Sequence, residues 1–514
     1  MIVNSKKLSQ QTWISAAFLL ILIALISKIL GFIREVLIAR YFGISEEVDA
    51  YMVAITIYGL VGGVLGSAFS TSLIPLYQKT LNKCGMEKTK DFIKSIFTFT
   101  SITSILLMIA VFVLSKYVIK IIAPSLPEST MKLSVEMLKW LSLLVLGNAL
   151  FNVLSSVYNA LHHFKIPALT DLLSNLCVII TLIFFSGLWG IYALVIGLII
   201  GIYFVVLILF FNALRLEIIG FRMNFKTEEF KNFIYFNLPI LLYIFLPQLT
   251  GIIENFFASS LKQGSISTLG YAKRLSEVVS TLLAANIAKA TFPTFSLLST
   301  EKKIVQLQDI VVKLNKQIIV YFLPLSFGLV FFSKEIITLV FMRGAFDSLA
   351  VEMTSNVFKF YAAILIANMI LPIYFRLCYA FSDTTTPIKA FAISIVFMIP
   401  LYYYLTPILG INGIALTSSI SILLTLIFTG ISVRKKIQGL SIFALGKLFA
   451  RSFLCASLAI LPLLKFKPTN NYEIIILIGA YFIFYFILAW FIMNKEIKRV
   501  GKSFWRIKDD PDGQ

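Results

Sequence analysis

Long apolar segments recur along the whole chain, and they constrain its fold more than any other feature. A helix needs about 20 apolar residues to cross a bilayer, and fourteen segments of this kind lie between residues 14 and 493. Apolar residues make up 59% of the 514 residues and charged residues 14%, whereas soluble domains average about 45–50% and about 25%. We therefore predict an all-α membrane protein with about fourteen transmembrane helices, and we exclude a soluble enzyme and a secreted disulfide-rich protein.

The net charge of +20 would suggest nucleic acid as a partner in a soluble protein. Here the Lys and Arg residues concentrate in alternate loops, as expected of the cytoplasmic loops of a membrane protein. We therefore predict that both termini are cytoplasmic and that nucleic acid is not a partner. Residues 496–514 form a predicted basic tail that lies on anionic lipid.

The chain contains an internal repeat. Four pairs of residues recur at a nearly constant offset: Tyr51 with Tyr271, Pro75 with Pro293, Ala160 with Ala380, and Pro167 with Pro387. The repeat unit spans six helices, so both copies enter the membrane the same way up. Parallel repeats of this kind are typical of alternating-access transporters. We predict an N-terminal lobe over 1–220, a C-terminal lobe over 221–436 and two additional helices over 437–495.

Charged residues lie inside two of the apolar segments, at roughly equivalent positions in the two repeats. They are Lys28, Arg34 and Glu35 in the first segment, and Lys273, Arg274 and Glu277 in the eighth. A charge at the centre of a membrane helix costs about 2.5–3.5 kcal/mol, so it pairs with a partner or faces a wet cavity. Cations outnumber carboxylates, which favours a cavity for an anionic substrate, and the Arg fork suits a phosphate.

A further buried carboxylate, Glu254, falls in the seventh segment and is either a cation ligand or a half-neutral carboxyl group. The four cysteines are scattered and show no metal-binding spacing. We therefore predict neither a metal site nor a cofactor. Coupling to a monovalent ion or to the membrane potential stays open.

Several motifs then resemble the MurJ (MviN) lipid II flippases, which belong to the multidrug/oligosaccharidyl-lipid/polysaccharide superfamily. Residues 27–43, followed by Asp49-Ala-Tyr51, are similar to the opening signature of that family. Further similar motifs follow in order along the chain: Ala68-Phe69, Ile74-Pro75, 271–275, 343–346 and 383–387. Two helices beyond the six-helix repeats also fit the family.

The resemblance implies two six-helix lobes around a cationic cavity, in the cytoplasmic membrane of a bacterium. It implies an undecaprenyl-diphosphate-linked glycan as substrate, with the last two helices forming a groove for its lipid tail, and we expect a monomer. Arg34 and Arg274 match essential cavity arginines, and Lys28 stands where the family usually has Arg. Asp49 matches an acidic residue on the outer side. The predicted diphosphate ligands are Lys28, Arg34, Lys273 and Arg274. The predicted gating or ion-pair residues are Glu35, Asp49 and Glu277.

The second segment departs from the family pattern, which usually has one or two arginines there, followed by Glu. Here residues 62–67 read Gly-Gly-Val-Leu-Gly-Ser. The departure leaves room for a flippase that carries a capsule, O-antigen or exopolysaccharide unit instead of lipid II. A drug or ion antiporter of the same superfamily would need an acidic cavity, and a membrane enzyme would need a larger outer loop.

Overall fold

The protein is helical throughout the part of the chain that the computed structural model describes, which is residues 10–161, 163–215, 219–437, 442–466, 468 and 470–493. Within those residues there is no strand, so the all-α prediction is confirmed. In chain order the helices are α1 (Gln10–Phe42), α2 (Glu46–Tyr58), α3 (Val64–Ile122), α4 (Glu128–Ala160), α5 (Lys165–Ala168), α6 (Thr170–Trp189), α7 (Tyr192–Arg215), α8 (Glu228–Ala258), α9 (Ser265–Thr300), α10 (Ile304–Phe331), α11 (Ser333–Phe341), α12 (Ser348–Ala363), α13 (Leu365–Ala380), α14 (Thr385–Leu409), α15 (Ile411–Lys436), α16 (Ile442–Ile460) and α17 (Asn471–Ile492). The predicted basic tail over 496–514 lies outside the described residues.

Each of the fourteen apolar segments lies on helical backbone. Fewer than fourteen of the described helices, however, are long and apolar enough to qualify as membrane spans. Among the described residues ten helices are long and apolar enough to cross a bilayer, or eleven if the bent pair α12 and α13 is one span. One of the ten is the continuous run Glu46–Ile122 of 77 residues, which contains two of the predicted segments. The exact number of fourteen therefore stays a prediction.

The long run Glu46–Ile122 contains two irregularities. A π-helical turn, Gly59–Gly63, joins α2 to α3. Further along, Gly85 has φ 80° and ψ 176°, which breaks the helix within α3. Glycine alone adopts such a conformation without steric cost, so Gly85 separates the second apolar segment from the third.

Local backbone geometry confirms the internal repeat. Gly190, the residue after α6, has φ 53° and ψ −139°. Gly410, the residue after α14, has φ 57° and ψ −133°. Both glycines lie in the left-handed region and occupy positions 220 residues apart. The first residues of α4 and α12, Glu128 and Ser348, are separated by the same distance along the chain.

Packing divides the chain into two compact units, Met1–Ser267 and Thr268–Gln514. In the first unit the core is built from α3, α4, α7 and α8, and Phe233 of α8 lies 5.4 Å from Phe69 of α3, ring centre to ring centre. The seventh apolar segment therefore belongs to the first unit by packing. The predicted lobe boundary at residue 220 follows the repeat instead, and it stays a prediction.

The second unit contains the two helices that lie beyond the repeat, α16 and α17. They pack on α10 around a buried cluster that includes Tyr481 and Tyr485. The Tyr481 hydroxyl donates to the carbonyl oxygen of Pro324 at 3.0 Å, and the Tyr485 hydroxyl to that of Val320 at 2.8 Å. Both carbonyls belong to α10, so these bonds tie α17 to the ninth apolar segment.

Candidate functional site

Arg34 lies on α1 and is held by two neighbours. Its Nη1 donates to Oδ1 of Asn175 on α6 at 2.9 Å, and its Nη2 pairs with Oε1 of Glu35 at 2.8 Å. The Arg34 side chain is 23% exposed and that of Glu35 is 9% exposed. A guanidinium has five N–H donors, and Nε of Arg34 has no hydrogen-bond partner among the described residues. Arg34 is therefore oriented and only partly satisfied.

The amide of Asn175 has a fixed orientation because it bonds at both ends. Its Nδ2 donates to the backbone oxygen of Ser27 at 3.2 Å, so its oxygen is free to accept from Arg34. A Cβ atom on Gly31 would lie 3.5 Å from the same Nδ2, so α6 lies close to α1 here. Asn175 lies 141 positions from Arg34, so their contact depends on the tertiary structure.

The two other α1 residues of the predicted site differ in exposure. Lys28 is exposed, whereas Glu35 is buried. Glu35 pairs with its chain neighbour Arg34. The ligand role of Lys28 and the gating or ion-pair role of Glu35 stay predictions.

Asp49 lies in the first turn of α2 and is buried. Its carboxylate accepts from the backbone N–H of Gly264 and from that of Ser267, both at 2.6 Å. These amides belong to the start of α9, where Gly264 has φ 84°. A carboxylate is favourable at a helix N-terminus because it satisfies free amides and complements the helix dipole. The gating role predicted for Asp49 is untested, and this contact supplies a chemical means for it.

The predicted residues of α9 are partly accessible. Lys273 and Arg274 are half-buried, and Glu277 is exposed. The Ser276 hydroxyl donates to the carbonyl oxygen of Tyr361 at 3.1 Å and ties α9 to α12. The ligand and ion-pair roles of the three charged residues stay predictions.

Glu254 is buried on α8. Its chain neighbour Asn255 donates from Nδ2 to Oγ1 of Thr56 at 3.1 Å and joins α8 to α2. No group of three or more His, Cys, Asp or Glu side chains that could hold a metal ion occurs in the described ranges. The cation-ligand role of Glu254 is a prediction that stays untested.

The stretch in which the family usually has arginine is neutral and irregular here. It begins within the π-helical turn Gly59–Gly63, and Nδ2 of Asn148 on α4 donates to the carbonyl oxygen of Gly62 at 3.3 Å. A π-helical turn leaves carbonyl groups without their usual partners, and it often lies at a functional site. The amide of Asn148 satisfies one such carbonyl.

Arg376 on α13 is a cation that the sequence analysis missed. Its guanidinium carbon lies 5.4 Å from the ring centre of Phe292 on α9. The signal was present in the sequence, since Arg376 is a charge within the apolar segment over 353–380.

The loop after α13 is held by a compact set of polar bonds around Asp383. Its carboxylate pairs with Nζ of Lys436 at 2.5 Å and accepts from the hydroxyl groups of Thr385 at 3.0 Å and Thr386 at 2.5 Å. Partial burial raises the pKa of Asp383, but the bonds from Lys436 and the threonines outweigh it and hold the pKa below its ordinary value. The motif over 383–387 therefore fixes the loop to the end of α15.

A family model for the lipid II flippase MurJ matches residues 38–497 of the chain. The chain belongs to the MurJ lipid II flippase family. The family is one of transporters and not of enzymes, and its members are integral membrane proteins of the bacterial inner membrane. These two predictions are confirmed.

Curated relatives agree with this assignment. A probable lipid II flippase MurJ of Buchnera aphidicola subsp. Schizaphis graminum is 28% identical over 409 residues, which cover 78% of this chain and 79% of the relative. The corresponding protein of Thermotoga maritima is 25% identical over 461 residues, which cover 88% of this chain and 92% of the relative.

Solved structures show the same fold. A lipid II flippase MurJ in an inward closed conformation matches with a TM-score of 0.80 and 24% identity, covering 93% of this chain and all of that one. An inward-facing multidrug transporter of the MATE family, described as a member of the MOP superfamily, matches with a TM-score of 0.69 and 12% identity. The predicted fold class is thereby confirmed.

Proposed function

We propose that the protein moves lipid II from the inner to the outer leaflet of the cytoplasmic membrane by alternating access. Family membership supports this proposal, and so does the chemistry of Arg34. A diphosphate cannot cross hydrocarbon without compensation of its charge, and Arg34 offers a partly satisfied guanidinium on a membrane helix. The lipid tail would remain in the bilayer throughout.

The observation that carries the proposal is the double restraint of Arg34 by Asn175 and Glu35. An unrestrained Arg in an apolar helix would snorkel toward the interface. A restrained Arg pays little further conformational entropy when it binds an anion, and its planar fork matches phosphate oxygens. Lys28, Lys273 and Arg274 are the other proposed ligands of the diphosphate.

Complementation tests the substrate. Expression of the protein in cells depleted of their resident lipid II flippase should restore growth and should return lipid II to the outer leaflet, measured by its accessibility to an externally added hydrolase. Failure to complement, with normal membrane insertion, would contradict lipid II as the substrate. Transport of a different polyprenyl-diphosphate glycan by the same cells would then identify the surface-polysaccharide alternative.

We further propose that both termini are cytoplasmic, which sets the direction of transport. In a cysteine-free background, Glu47→Cys should react with an impermeant thiol reagent added from outside, and Lys88→Cys should not. Both residues are exposed, so a difference in labelling reports the side of the membrane. The reverse pattern would overturn the orientation.

We propose in addition that the protein works as a monomer and needs no cofactor. Coupling to a monovalent ion through Glu254, or to the membrane potential, is open to a direct measurement. Transport in proteoliposomes under imposed ion gradients or an imposed potential would identify the energy source.

A further inference from the structure

Arg376 is an intramembrane cation to which neither the sequence motifs nor the family resemblance gives a role. It is half-buried on α13, and its guanidinium carbon lies over the ring of Phe292 on α9, 5.4 Å from the ring centre. Within the described ranges, no carboxylate pairs with it. The charge of Arg376 is therefore not neutralised by the protein groups that surround it.

The contact with Phe292 leaves the useful chemistry of Arg376 intact. A cation over an aromatic ring is attracted to the ring face and keeps its full charge. A guanidinium has five N–H donors, more than a contact with one aromatic ring face occupies. The ring therefore orients the guanidinium, while the edge remains able to bind two oxygens of a phosphate.

The depth of Arg376 matches that of a lipid headgroup. The bent pair α12 and α13 is a candidate membrane span, and Arg376 precedes the last residue of α13, Ala380, by four positions. At about 1.5 Å per residue, it lies about 6 Å from the helix end. In the proposed orientation this end is cytoplasmic, where a lipid-linked substrate would enter.

We propose that Arg376 binds the diphosphate of the lipid-linked substrate at its cytoplasmic entry point, with Phe292 as the positioning residue. The inference rests on the proposed function and on the proposed orientation. It also supplies a cation to a chain that lacks the span-two arginine of its family. The same chemistry would recognise the phosphate of a bulk anionic phospholipid, so the test separates these two sources.

The test measures lipid II binding to the full-length protein in nanodiscs of zwitterionic lipid. Arg376→Gln removes the charge but keeps a polar side chain, and it should weaken lipid II binding by about tenfold or more, as expected for lost charge-assisted hydrogen bonds. Arg376→Lys should recover part of the loss because it restores the charge without the fork. Arg434→Gln is the matched control, since Arg434 is an exposed cation in the last turn of α15, and it should leave the affinity unchanged.

Phe292→Leu tests the positioning role. It should weaken binding severalfold in the wild-type background and have no further effect in the Arg376→Gln background. Equal effects of Phe292→Leu in both backgrounds would contradict a role that acts through Arg376. Equal elution profiles and thermal midpoints of all variants exclude a folding defect as the cause.

The same titration with phosphatidylglycerol identifies the ligand. Loss of phosphatidylglycerol binding by Arg376→Gln, with lipid II binding intact, would assign Arg376 to bulk phospholipid and overturn the proposal. Unchanged binding of both lipids would overturn it as well. If the wild-type protein itself failed to bind lipid II, the proposed function would be wrong and the inference would be wrong with it. This outcome differs from the two above, in which the wild-type protein binds lipid II.

Discussion

The two copies of the repeat use the same pair of helices in chemically different ways. In the first copy α4 contacts α3 at Ser156, whose hydroxyl lies 3.4 Å from the backbone oxygen of Ser70. In the second copy the equivalent pair is α9 and α13, and Arg376, 220 positions after Ser156, lies over the ring of Phe292. The repeat thus preserves the helix arrangement, while at this position of the pair the first copy has a neutral Ser and the second has a cation. A cationic path can therefore be asymmetric even when the fold that supports it is symmetric.

Removing the cations should have the largest effect. Arg34→Ala and Arg274→Ala should each abolish lipid II transport, because a diphosphate would then lack compensation of its charge in the membrane. Lys at either position should restore transport only in part. Outer-leaflet lipid II in flippase-depleted cells is the measurement.

Arg40→Ala is the control for this comparison, because Arg40 is an exposed cation in the last turn of α1. It should leave transport at the wild-type level. Normal transport by both Arg34→Ala and Arg274→Ala would refute the assignment of the cations to the substrate path.

Introducing a charge at the neutral position Ser156 of the first copy should reduce stability. Ser156 is 1% exposed, so Ser156→Arg would bury a cation without a partner and should cost about 3 kcal/mol or more in the free energy of unfolding. The reciprocal change, Arg376→Ser, should leave the thermal midpoint in detergent nearly unchanged.

Ser156→Ala, which removes only the hydroxyl group, is the reference variant for that measurement. It should lower the free energy of unfolding by about 1 kcal/mol. If Ser156→Arg were as stable as Ser156→Ala, the first copy would tolerate charge. The asymmetry between the copies would then need another cause.

The two copies also differ in how closely their last two helices approach. A Cβ atom on Gly201 of α7 would lie 2.7 Å from the Cα atom of Ser174 on α6, whereas the equivalent position in the second copy already carries the side chain of Ser421. Gly201→Ala should therefore destabilise the protein by about 1–3 kcal/mol through overpacking. Gly187→Ala on α6, where a Cβ would meet nothing within 4 Å, is the control in the same unfolding measurement and should not destabilise.

The smallest effect is expected at the loop in which the second copy has Asp383 and the first has His163. Asp383→Asn removes the ion pair with Lys436 and should cost about 1–2 kcal/mol at pH 7. The pKa of Asp383 is held below its ordinary value of 3.8. The carboxylate therefore contributes fully to the free energy of unfolding above pH 3.8, and this contribution is lost as the pH falls further. The gap in thermal midpoint between wild type and variant should thus narrow below about pH 3.8.

Asp309→Asn is the control for this prediction, since Asp309 is an exposed carboxylate on α10. It should change the midpoint little at either pH. A gap for Asp383→Asn that stayed constant down to pH 3 would mean that the carboxylate charge does not stabilise the loop.

Much of the fold was predictable because its determinants are local. Helix positions follow from apolar runs of membrane-spanning length, and the repeat follows from residues that recur 220 positions apart. The break at Gly85 between the second and third segments was harder to predict from the sequence. Its positive φ depends on how the chain turns there, and the lysine-rich sequence around it predicts only a loop.

The candidate site was predictable in residue type and only partly in partners. Arg34 stood out because a charge in an apolar helix is costly wherever it points. Its partner Asn175 lies 141 positions away, and no sequence spacing relates the two. Asp49 likewise accepts hydrogen bonds from the backbone amides of Gly264 and Ser267. Those amides lie more than 200 positions away, so only the fold determines that they are its partners.

The sequence by itself therefore determined the helical class, the order of the membrane segments, the internal repeat and the identity of most intramembrane charges. These follow from hydropathy and from the geometry of a single helix, which act over about 20 residues. The tertiary structure decided which charges are paired, which glycines allow close approach and that Arg376 meets Phe292. Such contacts join residues far apart in the chain, and their energies depend on distances of a few ångströms that only the packed helices define.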